Sequence, residues 1–267
     1  MVLRSLGQVA MPQGVGRARM LLERNLTVAR KQRWVLVSGF FEPVFYLFSL
    51  GIGVGALVGT LDRGDGVAVP YAVYVAPAML AASAMNGAIA ESTMNVFFKL
   101  KYARIYDAIL ATPLGPRDLA VAEIGYAQLR GAVYSAAFLL VMAVMGYVHS
   151  WWALLALPAV VLVGLAFAGV GMAATTWMRS WQDFDLITVA TLPMFLFSGT
   201  FAPLSSYPPA VRWVVEVLPL HHAVVVVRGL CLGMPDVAML GHLAYLVVMG
   251  VLGMAVAAVR LDRLLLR

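Results

Sequence analysis

The sequence predicts an all-α protein that crosses a membrane several times. Hydrophobic residues make up 62% of the 267 residues and charged residues only 12%. The mean hydropathy of +0.88 is far above that of soluble proteins. The apolar residues fall into long continuous runs, and a helix needs about 20 such residues to cross a bilayer. Lipid offers the backbone no hydrogen-bond partners, so each crossing run is expected to be helical.

Six apolar segments qualify as membrane spans, and each is bounded by charges, proline or glycine. They cover residues 34–59, 71–96, 118–147, 151–177, 186–202 and 237–259. We therefore predict a transmembrane domain over residues 34–267, preceded by a cytoplasmic N-terminal segment over residues 1–33.

Lys and Arg are distributed unevenly between the spans. Of the 19 basic residues, 15 lie on the side of the N-terminus, 3 lie on the opposite side and Arg130 lies within a span. Short cytoplasmic loops retain positive charge, so both termini are predicted to be cytoplasmic. The net charge of +6 is thereby explained by orientation, and no nucleic-acid partner is expected.

Residues 17–33 precede the first span and are amphipathic when placed on a helix. Small and apolar residues share one face and basic residues another: Ala18, Leu22, Leu26 and Ala29 against Arg17, Arg24 and Lys31. This pattern is typical of a helix that lies in the membrane interface. A positively charged flank with some helical content is the alternative.

The loop between the second and third spans is predicted to form a short cytoplasmic helix. Its apolar residues recur at i, i+3, i+4, i+7 and i+8, with charged residues elsewhere: Tyr102, Ile105, Tyr106, Ile109 and Leu110 against Lys101, Arg104 and Asp107. Pro113 and Pro116 end the segment. The apolar stripe rests on lipid or inserts into a groove of a partner protein.

Prolines divide the external residues 203–236 into two short helical stretches. Each stretch is too short to cross the membrane at a rise of about 1.5 Å per residue. We predict two interfacial or re-entrant half-helices. The alternative is one seventh span kinked at Pro219, which would place Arg260, Arg263 and Arg267 outside the cell.

Four charged residues fall within the predicted spans: Glu42, Glu91, Glu123 and Arg130. Such groups are costly in hydrocarbon unless they are paired or hydrated. Glu123 and Arg130 are seven residues apart and therefore share one helical face. This face belongs to a charged inner vestibule whose pairs rearrange during transport, or to a static salt bridge between the second and third spans.

Glycines recur every four residues in the first span, at Gly51, Gly55 and Gly59. This spacing allows two membrane helices to approach closely. Packing within one subunit and dimerisation explain the pattern equally well.

The sequence contains none of the short motifs that we sought for nucleotide, zinc or nucleophilic chemistry. GxxxxGK[ST], HExxH and GxSxG are absent, and Cys231 is the only cysteine. The four histidines, His149, His221, His222 and His242, fall near the predicted outer edge. Adjacent helical residues such as His221 and His222 point about 100° apart, so hydrogen bonding is favoured over a metal site. We expect no catalytic residue, metal or cofactor in this chain.

Four blocks of sequence together resemble a known family. They are FEPVFYLFSLGIGVG (41–55), YVAPAMLAASAMNGAIAES (74–92), YDAILATPLGPRDLAVAEIGYAQLRG (106–131) and FSGTFAPLSSYPPAVRWVVEVLPLHHAVVVVRGLCLG (197–233). The blocks resemble the ABC transporter type 2 permeases, particularly the nodulation lipo-oligosaccharide and daunorubicin-type drug exporters.

The resemblance implies a six-span subunit of the bacterial plasma membrane that dimerises, with itself or with a second permease, and docks two separate ATPase subunits. ATP and Mg would be bound by those partners. The coupling helix would lie within Lys99–Leu114, and the external helices at Pro209–Leu218 and Leu220–Leu232. The implied function is export of an amphipathic drug, lipid or lipo-oligosaccharide.

Two other functions are compatible with the residues. An ion-coupled carrier or channel would use Glu42, Glu91 and Glu123 as proton sites, whereas a membrane enzyme acting on lipid would need catalytic residues that no motif supplies. A neighbouring reading frame with a P-loop would favour the permease. The sequence fixes neither the cargo nor, by itself, the direction of transport.

Overall fold

The computed structural model contains a bundle of helices. It describes residues 21–25, 27, 41, 44, 45, 47–63, 66–103, 105–112 and 114–265. Apart from two strands of three residues, the regular structure of the described residues is helical. The all-α class predicted from the sequence is therefore confirmed.

The described helices are numbered α1 to α10 in chain order. They are α1 (Gly55–Val58), α2 (Tyr71–Ala90), α3 (Val96–Lys101), α4 (Ile105–Leu110), α5 (Pro116–Val144), α6 (Ala156–Thr175), α7 (Phe184–Phe197), α8 (Pro209–Val217), α9 (Pro219–Leu232) and α10 (Ala238–Leu265). A π-helical segment, Glu91–Asn95, joins α2 to α3 without interruption. Short 3-10 turns at Trp151–Leu155 and Trp181–Asp183 lead into α6 and α7.

Four helices of the described residues are long and apolar enough to cross a membrane. They are Tyr71–Lys101, Asp118–Val144, Trp151–Thr175 and Ala238–Leu264. Their bounds agree within a few residues with the second, third, fourth and sixth predicted spans. The chain is therefore a multi-pass membrane protein.

The fifth predicted span, residues 186–202, is shorter than expected. Helix α7 has 14 residues and ends at Phe197, below the roughly 17–25 residues that a span needs. Gly199 adopts a φ of 75°, which ends the helix. Of the first predicted span, the described residues are helical up to Val58, without a gap from Leu47 onward, and Glu42 lies outside the described residues.

The two half-helices that the sequence analysis predicted for the external side are α8 and α9, close to their predicted bounds. They meet at an angle of 85°, and Pro219 is the first residue of α9. If this pair forms one broken span, the described residues contain five spans instead of four. A bend this sharp favours two half-helices over a single span kinked at Pro219.

Contacts along the helices show that the second span and α5 run antiparallel, whereas α6 and α10 run parallel. At one end Lys99 reaches Glu123, and Arg260 reaches Thr176; we call this end, which also carries Arg179, the basic end. At the other end His222 contacts His242; we call it the histidine end. Lys99, Arg179 and Arg260, three of the described basic residues that the sequence analysis assigned to one side, thus lie at one end of the bundle.

Helix α6 lies at the centre of the bundle and packs against α2, α5 and α10. Its crossing with α10 depends on glycine, because a Cβ built on Gly253 would lie 2.6 Å from the backbone carbon of Gly169. A Cβ on Gly250 would lie 3.1 Å from the Cα of Ala166. Small residues on both helices let the two backbones touch, as is common between membrane helices.

A β-hairpin that the sequence did not predict links α1 to α2. Strand β1 (Thr60–Asp62) pairs antiparallel with strand β2 (Ala68–Pro70). The Asp62 carboxylate accepts a hydrogen bond from the N–H of Gly66 at 3.0 Å, and Gly66 has a φ of 82°. The turn is thus built from an aspartate and a glycine, which are typical turn residues.

Near the N-terminus, residues 21–25 are helical. Leu21 and Asn25, four residues apart, are buried, whereas Glu23 and Arg24 are exposed. This arrangement fits part of the predicted amphipathic helix. The remainder of residues 17–33 lies outside the described residues, apart from Thr27.

Candidate functional site

Two ion pairs connect the second span to the third. Lys99 Nζ lies 2.6 Å from Glu123 Oε2, and Arg130 pairs with Glu91. All four side chains are at least 80% shielded from solvent. Glu123 and Arg130 share a face of α5, as predicted, but they bind the neighbouring helix and not each other. The sequence analysis left open whether a salt bridge connects the second and third spans. Two such salt bridges are present.

The π-helical segment places Glu91 at a break in the regular hydrogen bonding of the second span. Asn95 Nδ2 donates to Glu91 Oε2 at 2.8 Å and fixes its carboxylate. Thr175 on α6 donates to the carbonyl of Ser92 at 3.0 Å. Gly171 permits this approach, because a Cβ there would collide with the Ser92 hydroxyl. Single π-helical turns inside α-helices are frequent at functional sites.

A cavity of about 480 Å³ opens beside the Arg130–Glu91 pair. It lies between the second span, α5 and α7. Polar groups and small residues line much of it, including Ser83, Asn86, Glu91, Arg130, Tyr134, Thr188 and Thr191. Arg130 Nε donates to the Tyr134 hydroxyl at 3.0 Å, so two neighbours fix the guanidinium. The cavity can offer a ligand both hydrogen bonds and a compensated charge.

The predicted cytoplasmic helix docks onto the basic end through one buried tyrosine. Tyr106 of α4 is 1% exposed, and Ile109 is also buried. Burial, and next the neighbouring Glu123 carboxylate, raise the pKa of Tyr106 well above its ordinary value. The hydroxyl has no hydrogen-bond partner within the described residues. Tyr106 therefore packs beside the Lys99–Glu123 pair, and the Glu123 carboxylate is close enough to interact with its hydroxyl.

The other residues predicted for this segment are arranged around Tyr106. Lys101 and Tyr102 are exposed, and Ile105 is half-buried. Arg104 and the side chains of Asp107 and Leu110 lie outside the description. The buried residues face the bundle, and the exposed ones remain available to a partner.

Aromatic rings join the same region to the start of α7. The rings of Phe97 and Trp181 have centroids 5.7 Å apart, and those of Phe97 and Phe184 are 5.3 Å apart. Tyr102 lies 5.9 Å from Trp181. The loop between the second span and α5 thus contacts α5 through Tyr106 and the beginning of α7 through this cluster.

Histidines form hydrogen bonds at the histidine end. His221 Nδ1 lies 3.2 Å from the carbonyl oxygen of Ser198. His222 Nδ1 lies 2.6 Å from His242 Nδ1, and the His222 ring stacks on Tyr245 at 3.9 Å. The described residues contain no group of three potential ligands arranged to hold a metal. Hydrogen bonding, as predicted, is the observed role of these side chains.

Arg228 is a buried cation that the sequence analysis did not single out. Its Nε donates to the Tyr74 carbonyl at 3.1 Å, and Nη2 donates to the Gly199 carbonyl at 2.8 Å. The guanidinium also lies 3.8 Å from the centre of the Tyr74 ring. Arg228 thereby fastens α9 to the start of α2 and to the turn after α7. Its position in the apolar run AVVVVRGLCLG was the available signal.

The three glycines predicted for helix packing have different environments. A Cβ on Gly51 would lie 3.2 Å from the Cβ of Ala72, so Gly51 approaches α2 closely. Gly55 is half-buried. Gly59 has a φ of 74° and open space around it, and it ends α1. Of Gly51 and Gly59, therefore, only Gly51 packs closely against a neighbouring helix.

Comparison with known proteins identifies the family. The sequence profile described as ABC-2 type transporter matches residues 17–232. Nodulation protein J of Rhizobium leguminosarum bv. viciae is 32% identical over 265 residues, which cover 98% of this chain and 100% of that protein. Nodulation protein J of Rhizobium meliloti strain 1021 is 33% identical over 202 residues, 75% of each chain.

A more distant relative extends the same agreement. Nodulation protein J of Azorhizobium caulinodans is 24% identical over 211 residues, which cover 78% of this chain and 81% of that protein. The matched region includes both ion pairs, the loop that contains α4, and the half-helices α8 and α9. The chain is therefore a member of the ABC-2 type transporter family, a permease whose place is in the membrane part of an ABC transporter.

Proposed function

We propose that this chain is the permease subunit of a bacterial plasma-membrane exporter that moves an amphipathic cargo outward. The energy would come from a separate ATPase subunit that binds ATP and Mg. The observation that carries this proposal is that one helix, α5, bears both Glu123 beside the cytoplasmic loop and Arg130 beside the cavity.

The proposed path of coupling begins at α4. The exposed side chains of Lys101 and Tyr102 would contact the ATPase, while Tyr106 transmits its movement to the basic end of α5. Glu123 and Arg130 are two helical turns apart, or about 10 Å at the rise of an α-helix. A displacement of α5 at Glu123 would therefore shift Arg130 and change the shape of the cavity.

The Arg130–Glu91 ion pair would act as a switch when α5 moves. Arg130 and Glu91 line the cavity and bind each other across two helices. If α5 moves relative to the second span, the pair must stretch or exchange partners. Because buried ion pairs depend strongly on geometry, either change would alter the affinity of the cavity for a polar group.

The lining of the cavity supports an amphipathic cargo. Hydroxyl and amide groups on Ser83, Asn86 and Tyr134 can bind a polar head, while Met79, Leu192 and Phe195 offer apolar contact. The drugs, lipids and lipo-oligosaccharides implied by the sequence resemblance all combine such parts. The nodulation proteins among the relatives make the lipo-oligosaccharide the first cargo to test.

A second permease copy is part of the proposal. Helix α7 leaves large apolar side chains exposed, with Leu186 at 70% and Val189 at 69%. Lipid or a second subunit must cover these side chains within a membrane. Whether the second subunit is identical or a different permease is to be determined by purification.

The arrangement of charges weighs against an ion-coupled carrier. Glu91 and Glu123 are each bound to a cation, so neither is an isolated carboxylate ready to exchange protons. Glu42, the third candidate proton site, lies outside the described residues. The carrier remains the alternative that the following experiment would revive.

The test is ATP hydrolysis in nanodiscs, measured for this chain alone and for the complex with the ATPase encoded beside it. We expect no hydrolysis from the chain alone and hydrolysis by the complex that rises when the cargo is added. A complex with a Walker-A lysine variant of the ATPase is the control for contaminating activity. Failure of the chain to purify with any ATPase, together with proton-driven uptake by the chain alone, would establish the carrier instead.

A further inference from the structure

A second cavity, of about 660 Å³, lies on the other side of α7. It is separate from the cavity beside Arg130 and Glu91, which we call the polar cavity. Thr191 is the one lining residue that the two cavities share. Its walls come from the second span, α6, α7 and α10, and they are mainly apolar: Ile89, Phe167, Val170, Ala174, Leu186, Ile187, Ala190, Met194 and Met249. An apolar cleft of this size within a membrane requires an apolar occupant.

The shape of the cleft restricts what can fill it. Residues of α7 line it from Leu186 to Met194, a length of roughly 12 Å, and Asp183 extends the lining to roughly 17 Å at the helical rise. An acyl chain of a membrane lipid is an extended apolar group and can lie along this length of the cleft.

The mouth of the cleft lies at the basic end and carries interfacial residues. Trp177, Arg179 and Asp183 line it. Arg260 lies 4.6 Å from the centre of the Trp177 ring. Tryptophan and arginine at this depth are typical of the level of lipid head groups. The cleft thus leads from a head-group region into the apolar interior of the bundle.

Charge at the mouth favours an anionic group. Asp183 is an acidic residue at the mouth. Its Oδ2 accepts hydrogen bonds from the backbone N–H groups of Arg179 at 2.6 Å and Ser180 at 3.1 Å. These two bonds close the turn and direct the carboxylate towards the backbone. The Asp183 carboxylate attracts Arg179, but the salt bridges of the described residues do not include Arg179. Its guanidinium is exposed at the mouth and can bind a ligand.

We propose that this cleft binds one acyl chain of an anionic phospholipid, with its phosphate on Arg179. The occupant comes from the leaflet at the basic end and is a component of the membrane, distinct from the transported cargo. Basic pockets between membrane helices on the positively charged side bind anionic head groups in the same way. The site would hold α7 at its distance from α6 and the second span.

The experiment compares lipid binding to the purified chain by native mass spectrometry, with phosphatidylglycerol as the anionic probe and phosphatidylcholine as the zwitterionic one. We expect tighter retention of phosphatidylglycerol, and about five-fold weaker binding in Arg179→Gln, the factor that corresponds to about 1 kcal/mol per basic residue. Arg263→Gln is the matched control, because Arg263 is exposed at the same end and does not line the cleft.

A cavity-filling variant tests the acyl chain separately. Ala174→Leu should weaken binding of both lipids, because the larger side chain occupies the cleft. If that variant does not fold, the comparison of Arg179→Gln with Arg263→Gln decides alone. Equal retention of the two lipids, or equal losses in the two arginine variants, would overturn the proposal. None of these measurements depends on the ATPase or on transport.

Discussion

Glu123 and Arg130 lie two turns apart on α5, and each binds a different residue of the second span. Lys99, the partner of Glu123, lies eight residues after Glu91, the partner of Arg130. The two helices run antiparallel, so the pairs form two rungs between them. The Lys99–Glu123 rung lies beside the loop that contains α4, and the Arg130–Glu91 rung lines the polar cavity.

The Lys99–Glu123 pair, which we call the inner rung, lies beside Tyr106 and leads to a test of coupling at that residue. Tyr106→Ala removes a ring that is 1% exposed and packs beside Glu123. We expect the complex to keep hydrolysing ATP but to transport much less cargo per ATP, because α4 no longer drives α5. The measurement is the ratio of transport to hydrolysis in proteoliposomes.

Tyr106→Phe is the matched control for this prediction. It keeps the ring and removes a hydroxyl that has no hydrogen-bond partner within the described residues. The ratio should therefore remain near that of the unmodified chain. An unchanged ratio in Tyr106→Ala would show that coupling does not pass through this ring.

Variants of the Arg130–Glu91 pair, which we call the outer rung, distinguish a static salt bridge from one that rearranges. Arg130→Met leaves the Glu91 carboxylate without its main cation, and we expect it to lower the free energy of unfolding by roughly 1–3 kcal/mol, below the range for fully buried pairs. The double variant Arg130→Met, Glu91→Gln removes both charges and should recover part of this loss. Thermal unfolding in detergent measures both values.

Transport by the same two variants decides the role of the pair. If Arg130 and Glu91 exchange partners during transport, the double variant stays inactive although its stability has recovered. Recovery of stability and transport together would indicate a static bridge. Normal expression and transport by Arg130→Met alone would exclude the vestibule.

The long helices of this bundle were predictable because their signal is local. An apolar run of sufficient length identifies a span wherever its neighbours lie. The second span and α10 therefore have nearly the predicted bounds. The half-helices α8 and α9 were equally accessible, since proline begins each of them.

The pairing of charges was not predictable, because it depends on contacts between helices that are distant in sequence. The spacing of Glu123 and Arg130 correctly placed them on one face, but spacing within α5 contains no information on Lys99 or Glu91. The π-helical segment likewise depends on Thr175 of α6, which binds the Ser92 carbonyl. Arg228 was missed for the same reason, since its acceptors lie on two other parts of the chain, at Tyr74 and at Gly199 and Thr200.

Arg228 should be one of the least replaceable residues outside the cavity. Arg228→Lys keeps the charge but cannot donate in the several directions that a guanidinium reaches. Carbonyls of Tyr74 and Gly199 would lose their donor, so we expect a loss of roughly 2–3 kcal/mol in stability. Unfolding curves in detergent provide the measurement.

Arg212→Lys serves as a comparison for Arg228→Lys. Arg212 also donates to two backbone carbonyls, those of Tyr207 and Ser205, but lies closer to the surface. Water can replace the lost donor there, so its loss should be smaller. Equal losses in the two variants would show that burial does not set the importance of Arg228.

The crossing of α6 and α10 predicts that alanine substitutions at two glycines of α10 have different effects on stability. Gly253→Ala puts a Cβ 2.6 Å from the backbone of Gly169, so the helices must separate and we expect a marked fall in the unfolding temperature. Gly241→Ala meets nothing within 4 Å. Alanine favours a helix by roughly 0.5–1 kcal/mol over glycine, so Gly241→Ala should be neutral or stabilising. Stabilisation of the chain by both substitutions would mean that α6 and α10 do not touch through their backbones.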